Sequence, residues 1–161
     1  MPPVLQHVQS TNTYVRVSGD TMEVIREPLT YEETVKFHGH DGPFLALGYR
    51  MGLAARELLN PQGIMELQVT VKVRTEKPYT CIVDGIQCAT KATIGKGNID
   101  IEPSPSMKVQ FNNRRTGEVV EFVVHPELIK KMYESDDLKA AAKFILTQPD
   151  TMLWEVHSVD G

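Results

Sequence analysis

Three residues in this chain have side chains suited to holding a reactive centre: His38, His40 and Cys81. Neutral imidazole and thiolate are the donors that bind zinc and other late first-row metals, and three protein ligands with an open fourth position make a reactive site. His-x-His brings two imidazoles within a few ångströms once the backbone leaves helical geometry, and Gly39 between them gives that freedom. Cys81 falls where a helix is expected to begin, and the partial positive charge of a helix N-terminus favours the thiolate. On spacing alone a plainer reading stands beside this one. His38 and His40 would then end a helix and face solvent, and Cys81 would be a small buried hydrophobe.

Around these residues lie side chains that would position or compete with them. Asp41 follows the histidine pair, either accepting a hydrogen bond from a ligating imidazole or coordinating directly. Cys81, Asp84 and Gln87 form an i, i+3, i+6 row on the expected helix, with Asp84 able to hold an imidazole or simply to sit as an acid near the helix start. Gly95-Lys96-Gly97 could offer backbone N–H groups to an anion, but it lacks phosphate-loop spacing and reads first as a turn. Arg50 reads as a solvated or dimer-face charge. His125 and His157 have no evident partner and are expected at the surface, and His7 falls in the expected N-terminal arm.

The elements that must place these groups are legible from periodicity. Residues 1–12 are polar and Pro-led, expected as a loose arm ahead of one domain over 13–161. Tyr14–Val17 and Met22–Ile25 flank Ser18-Gly19-Asp20 as an expected hairpin. Thr30 and Glu33 make a capping box for a helix over Tyr31–Phe37, which the glycines and proline of His38-Gly39-His40-Asp41-Gly42-Pro43 stop. Phe44–Leu59 is apolar around most of its circumference, a buried helix, and Gly48 and Gly52 one turn apart call for close packing against a neighbour.

Leu67, Val69, Val71 and Val73 alternate with polar residues as a half-buried strand. A helix from Tyr79 to about Ala92 with Thr80 as N-cap comes next. Strands around Ile99–Ile101, Met107–Phe111 and Val119–Val124 follow, the last two joined as a hairpin across Asn112–Gly117. His125-Pro126 opens another helix, Ser135 is expected to cap the next, and a strand from Leu153 to Val156 closes the chain. The pattern is α+β with a largely antiparallel sheet, its neighbouring strands joined by turns rather than helical crossovers.

Composition narrows the function. Hydrophobic residues at 41% and charged residues at 24% are ordinary for a globular protein, and 161 residues suit one domain. A net charge of −4 offers no basic field for nucleic acid. No apolar run is long enough to span a bilayer, and the opening residues lack a secretory pattern, so the cytoplasm is expected. Two cysteines seven residues apart, Cys81 and Cys88, cannot build a disulfide framework.

Three segments together resemble a known family. Phe37-His38-Gly39-His40-Asp41-Gly42-Pro43-Phe44-Leu45-Ala46-Leu47-Gly48 is similar to the His-Gly-His-x-Cys-Pro-Gly opening and Leu-Ala-Leu-Gly helix of the FmdE family, named for the E component of formylmethanofuran dehydrogenase. Cys81-Ile82-Val83-Asp84-Gly85-Ile86-Gln87, followed by Gly95-Lys96-Gly97-Asn98, resembles its Cys-x-x-Asp-Gly-Ile-Gln and Gly-Lys-Gly-Asn blocks, and Gln148–Leu153 its closing Pro-Asp segment. The resemblance implies the family's α+β domain, a homodimer, and a site at His38, His40 and Cys81. That site would hold zinc first, nickel or iron next, in or beside one-carbon or molybdenum/tungsten-enzyme metabolism, alone or in a larger enzyme complex.

The departures are as informative. Gly42 and Ala92 stand where the family carries cysteines, and Lys91 where it has glycine. A site with fewer soft ligands leans on imidazole. The alternative is a binding or assembly module whose metal site has decayed, with Lys91 expected to turn the pocket towards an anionic small molecule and no metal bound. A purely structural role is the third reading.

Overall fold

The computed structural model describes the backbone of residues 4–8 and 13–17 and the full residues 26–159. The backbone of β1 (Val4–Val8) pairs antiparallel with that of β2 (Thr13–Val17). Strand β2 thus has its observed partner upstream, inside the stretch expected as an arm. Met22–Ile25, its expected partner, lies outside the described residues.

The next two helices meet at the motif. Thr30 accepts the Glu33 N–H at 3.1 Å and its own N–H reaches the Glu33 carboxylate at 2.7 Å, the expected capping box of α1 (Tyr31–His38). Gly39 ends it at φ 102°, a left-handed conformation that a side chain would strain. After the short connection α2 (Pro43–Leu59) begins, with proline in its first turn and Asn60 as left-handed cap. Leu45, Ala46, Leu47, Met51 and Ala55 are at most 1% exposed, so α2 is buried as its apolar circumference requires.

Strand β3 (Leu67–Val73) alternates buried and half-buried residues along its whole length. Helix α3 (Cys81–Thr90) carries the chain back to β4 (Ile99–Pro103), which pairs parallel with β3. This one helical crossover corrects the turn-only expectation. Parallel neighbours must start at the same end, and that demands a return of a dozen or more residues. The remaining strands, β5 (Lys108–Asn113), β6 (Val119–Val124) and β7 (Trp154–Val159), pair antiparallel, in the order β4-β3-β5-β6-β7.

Two helices separate β6 from β7: α4 (Pro126–Tyr133) and α5 (Leu138–Thr147). The cap of α5 is Asp137, whose carboxylate accepts the Ala140 N–H at 3.0 Å, whereas Ser135 donates to the Asp137 carbonyl. A carboxylate opposite the helix N-terminus is favoured over a hydroxyl two residues further out. The fold is α+β with a mostly antiparallel five-stranded sheet, as the alternating patterns predict. Its core joins the buried faces of β3, β5 and β6 to α2, α3 and α5, with Phe111, Phe122 and Trp154 stacked edge to face. Among the described residues no helix is long and apolar enough to cross a membrane.

The contact between α2 and α3 decides where the site lies. A Cβ built on Gly48 would stand 2.1 Å from the Ile82 carbonyl oxygen, and one on Gly85 would stand 2.3 Å from that of Leu45. The helices touch backbone to backbone, which only glycine allows. Here Gly48 does what its cost in helix propensity implied. Because α2 starts just after the histidine pair and α3 starts at Cys81, this contact draws both chain segments to one end of the helix pair.

Candidate site around the histidine pair

His38 is the last residue of α1 and His40 lies one residue past the left-handed Gly39. The turn brings their rings to a centroid separation of 4.6 Å. Asp84, in the first turn of α3, accepts from His38 Nδ1 at 2.6 Å. In the tautomer that carries its proton on Nδ1, His38 offers Nε2 as an acceptor. That atom is buried and has no hydrogen-bond partner. A buried ring nitrogen without a protein partner carries a desolvation penalty that a water or an ion would relieve.

Asp84 is itself held. Gln87 donates to its second oxygen at 3.2 Å, and the Gln87 side-chain carbonyl accepts the Ile94 N–H at 2.9 Å. Asp84 and Gln87 therefore stand against His38 as one hydrogen-bonded pair. Cys81 and the exposed His40 line a common cavity of about 70 Å³ with Gly42, Pro43, Phe44 and Tyr133. A Cβ built on Gly42 would meet His40 Nε2 at 3.4 Å. A side chain at the position where the resembled family carries cysteine would thus lie against this imidazole.

Other candidates are placed differently. Asp41 accepts from the Tyr31 hydroxyl at 2.5 Å instead of orienting a histidine. Burial, then Asp41 itself, pushes the Tyr31 hydroxyl well above the usual phenol range. Lys91 is the left-handed C-cap of α3, with Ala92 in the core beside it. A ten-residue helix separates them from Cys81, about 15 Å along the axis. Lys77, one turn ahead of Cys81, is the lysine whose charge favours its thiolate.

That influence is outweighed. Burial, and then the neighbouring Asp84 charge, push the Cys81 thiol up, against the lowering expected from the helix start. Gly95, Lys96 and Gly97 form a turn in which Lys96 and Gly97 bond within the turn itself. Lys96 N–H and Nζ both reach Thr93 Oγ1, and Gly97 N–H reaches the Ile94 carbonyl. Arg50, expected as a solvated or dimer-face charge, donates to the carbonyls of Ile145 and Gln148 and to Asp150.

The donor types suit a late first-row ion. Yet among the described residues no three His, Cys, Asp or Glu side chains stand close enough together to hold one. Two contacts escape a reading by spacing: Tyr31 as the partner of Asp41, and Arg50 as a clamp on the end of α5. Neither has a signature along the chain, since each joins elements by tertiary packing.

Known proteins share part of the sequence and the fold. A relative from Archaeoglobus fulgidus, described as a probable S-adenosyl-L-methionine-binding protein, is 28% identical over 112 residues. The match takes in 69% of this chain and 31% of that protein, so the chain spans about a third of its relative's length. The crystal structure of an FmdE-like protein of tungsten formylmethanofuran dehydrogenase type from Syntrophus aciditrophicus shares the fold. It has a TM-score of 0.55 and 24% identity, covering 80% of this chain and 70% of that one. The profile of the FmdE family, described as molybdenum formylmethanofuran dehydrogenase operon, matches residues 37–155. That span runs from the residue before His38 into the closing strand, and the chain belongs to the FmdE family.

Proposed function

We propose that this FmdE-family domain binds a divalent transition metal through His38 and His40, with Cys81 as the third ligand. Zinc is the first candidate, with nickel or iron next. The observation that carries the reading is His38: its Nδ1 is held by Asp84 while its buried Nε2 lacks any partner. Metal-ligating histidines characteristically donate their other ring nitrogen to a carboxylate, which sets the tautomer and raises ligand basicity. Asp84 would do this for His38, and Gln87 would hold Asp84 in place. A bound ion would act as a Lewis acid towards a small ligand or water. Binding through Cys81 would release its proton, so uptake should strengthen with pH.

The family description and the name of the Syntrophus protein support a place in or beside one-carbon or molybdenum/tungsten-enzyme metabolism; a homodimer or a larger complex is part of the proposal. Titration of untagged protein with zinc, nickel and ferrous ions tests the metal reading by calorimetry. One equivalent should bind, and His38→Ala should weaken binding by about tenfold to a hundredfold. No binding, or binding indifferent to His38→Ala, would defeat it.

A second reading is favoured by the lack of a ready three-donor group among the described residues and by the raised thiol. In it the pocket keeps the fold but takes an anionic small molecule, with Lys77 supplying the charge once expected of Lys91. A thermal shift with small carboxylates and none with divalent ions would select this reading over the first.

A further inference from the structure

Outside the histidine site, a cleft of about 300 Å³ opens between the end of β3, the segment leading into β5, and α4. Its floor is apolar: Val73, Met107 and Val124 are at most 2% exposed. Its rim is aromatic and basic. The Tyr79 and Tyr133 rings stack at 5.5 Å with only 8° between their planes, and Phe44 meets Tyr79 edge-on at 5.6 Å. The Arg74 guanidinium lies 5.4 Å from the centre of the Tyr79 ring. Lys130 completes the lining, and neither Arg74 nor Lys130 takes part in an ion pair among the described residues. Among those residues no carboxylate lines the cleft; Glu127 and Glu134, on or just after the same helix as Lys130, are not part of it.

We propose that this cleft binds a small planar aromatic anion, its ring against Tyr133 and its carboxylate or phosphate between Arg74 and Lys130. Tyr133 is 57% exposed although it stacks on one side, so a ring-sized apolar surface remains open to a ligand. Offset stacking on a fixed tyrosine orders few rotamers, and an arginine already held over an aromatic ring is pre-organised for an anion. In a chain of net charge −4, a cleft whose charged lining residues are both cations selects for negative charge. The volume suits a molecule of mononucleotide size or smaller. Tyr133 also lines the small cavity of His40 and Cys81, so a ligand in the cleft would reach towards that site. The proposal does not require a metal there.

The test uses the full chain with four probes: adenosine monophosphate, indole-3-acetate, adenosine and inorganic phosphate. Binding is measured by ligand-observed NMR and calorimetry, with and without a chelator. At least one of the two aromatic anions should bind, with adenosine and phosphate each about tenfold weaker or more. The double substitution Arg74→Gln/Lys130→Gln should weaken the anion by about tenfold or more, and Tyr133→Ala should do so with the charges intact. A thermal midpoint within about 2 °C of the unsubstituted chain shows that each variant is folded. The proposal is overturned by no binding of either aromatic anion up to about 5 mM, by an affinity unchanged in the double variant, or by binding that disappears with the chelator.

Discussion

Substituting Gly48 by alanine should destabilise the protein although alanine is the better helix former. The added Cβ would lie 2.1 Å from the Ile82 carbonyl oxygen and 2.8 Å from its carbon. Ordinary contact begins near 3.4 Å, so the deficit exceeds 1 Å, and the clash sets a Cβ fixed to one helix against the backbone of the other. No rotamer change relieves it; α2 and α3 must move apart. Overpacking a core typically costs about 1–3 kcal/mol, and a backbone clash belongs at or above the upper end. Replacing a helical glycine returns about 1 kcal/mol. The net loss is about 2–3 kcal/mol, equivalent to a fall of about 4–12 °C in thermal midpoint for a domain of this size.

Urea unfolding followed by circular dichroism measures this, with Gly95→Ala as control, since a Cβ there meets nothing within 4 Å. The control should stay within about 0.5 kcal/mol. Because the same contact sets the approach of α3 to the histidine turn, Gly48→Ala should also weaken whatever binds at His38. A variant as stable as the unsubstituted chain, or more so, would refute the close-approach argument.

Thr30→Ala removes the side-chain cap of α1 and should cost about 1 kcal/mol by the same unfolding assay. Arg50→Ala strips the donor from two carbonyls and from Asp150 at the end of α5. It should lower stability by about 2–3 kcal/mol, and Arg50→Lys should restore only part of it. Burial raises the thiols of Cys81 and Cys88 and the hydroxyls of Tyr31 and Tyr49 in the folded chain. For groups with raised folded-state values the unfolded chain loses protons first. Their stabilising contribution is therefore whole below the ordinary thiol range and declines as pH rises through and above it. Urea midpoints should thus fall between about pH 8 and 10, and Cys81→Ala/Cys88→Ala should flatten the first part of that fall; a flat profile in the unsubstituted chain would contradict the burial of these groups.

Much of this protein is legible along the chain because its signals are local. The capping box at Thr30 and Glu33, the alternation of β3 and the apolar girth of α2 each follow from neighbours a few residues apart. Such periodicities determine element type and burial before any tertiary contact exists. The motif around His38, His40 and Cys81 likewise marked the family, which the profile match over residues 37–155 bears out. Tertiary structure decided what no spacing encodes. It made β4 a parallel neighbour of β3, joined Asp84 to His38 across 46 positions, and turned Asp41 to Tyr31. The Asp84–His38 contact follows from how closely α2 and α3 pack, and the others from which elements the folded chain sets side by side. Distance in space, unlike periodicity, is a property of the assembled core.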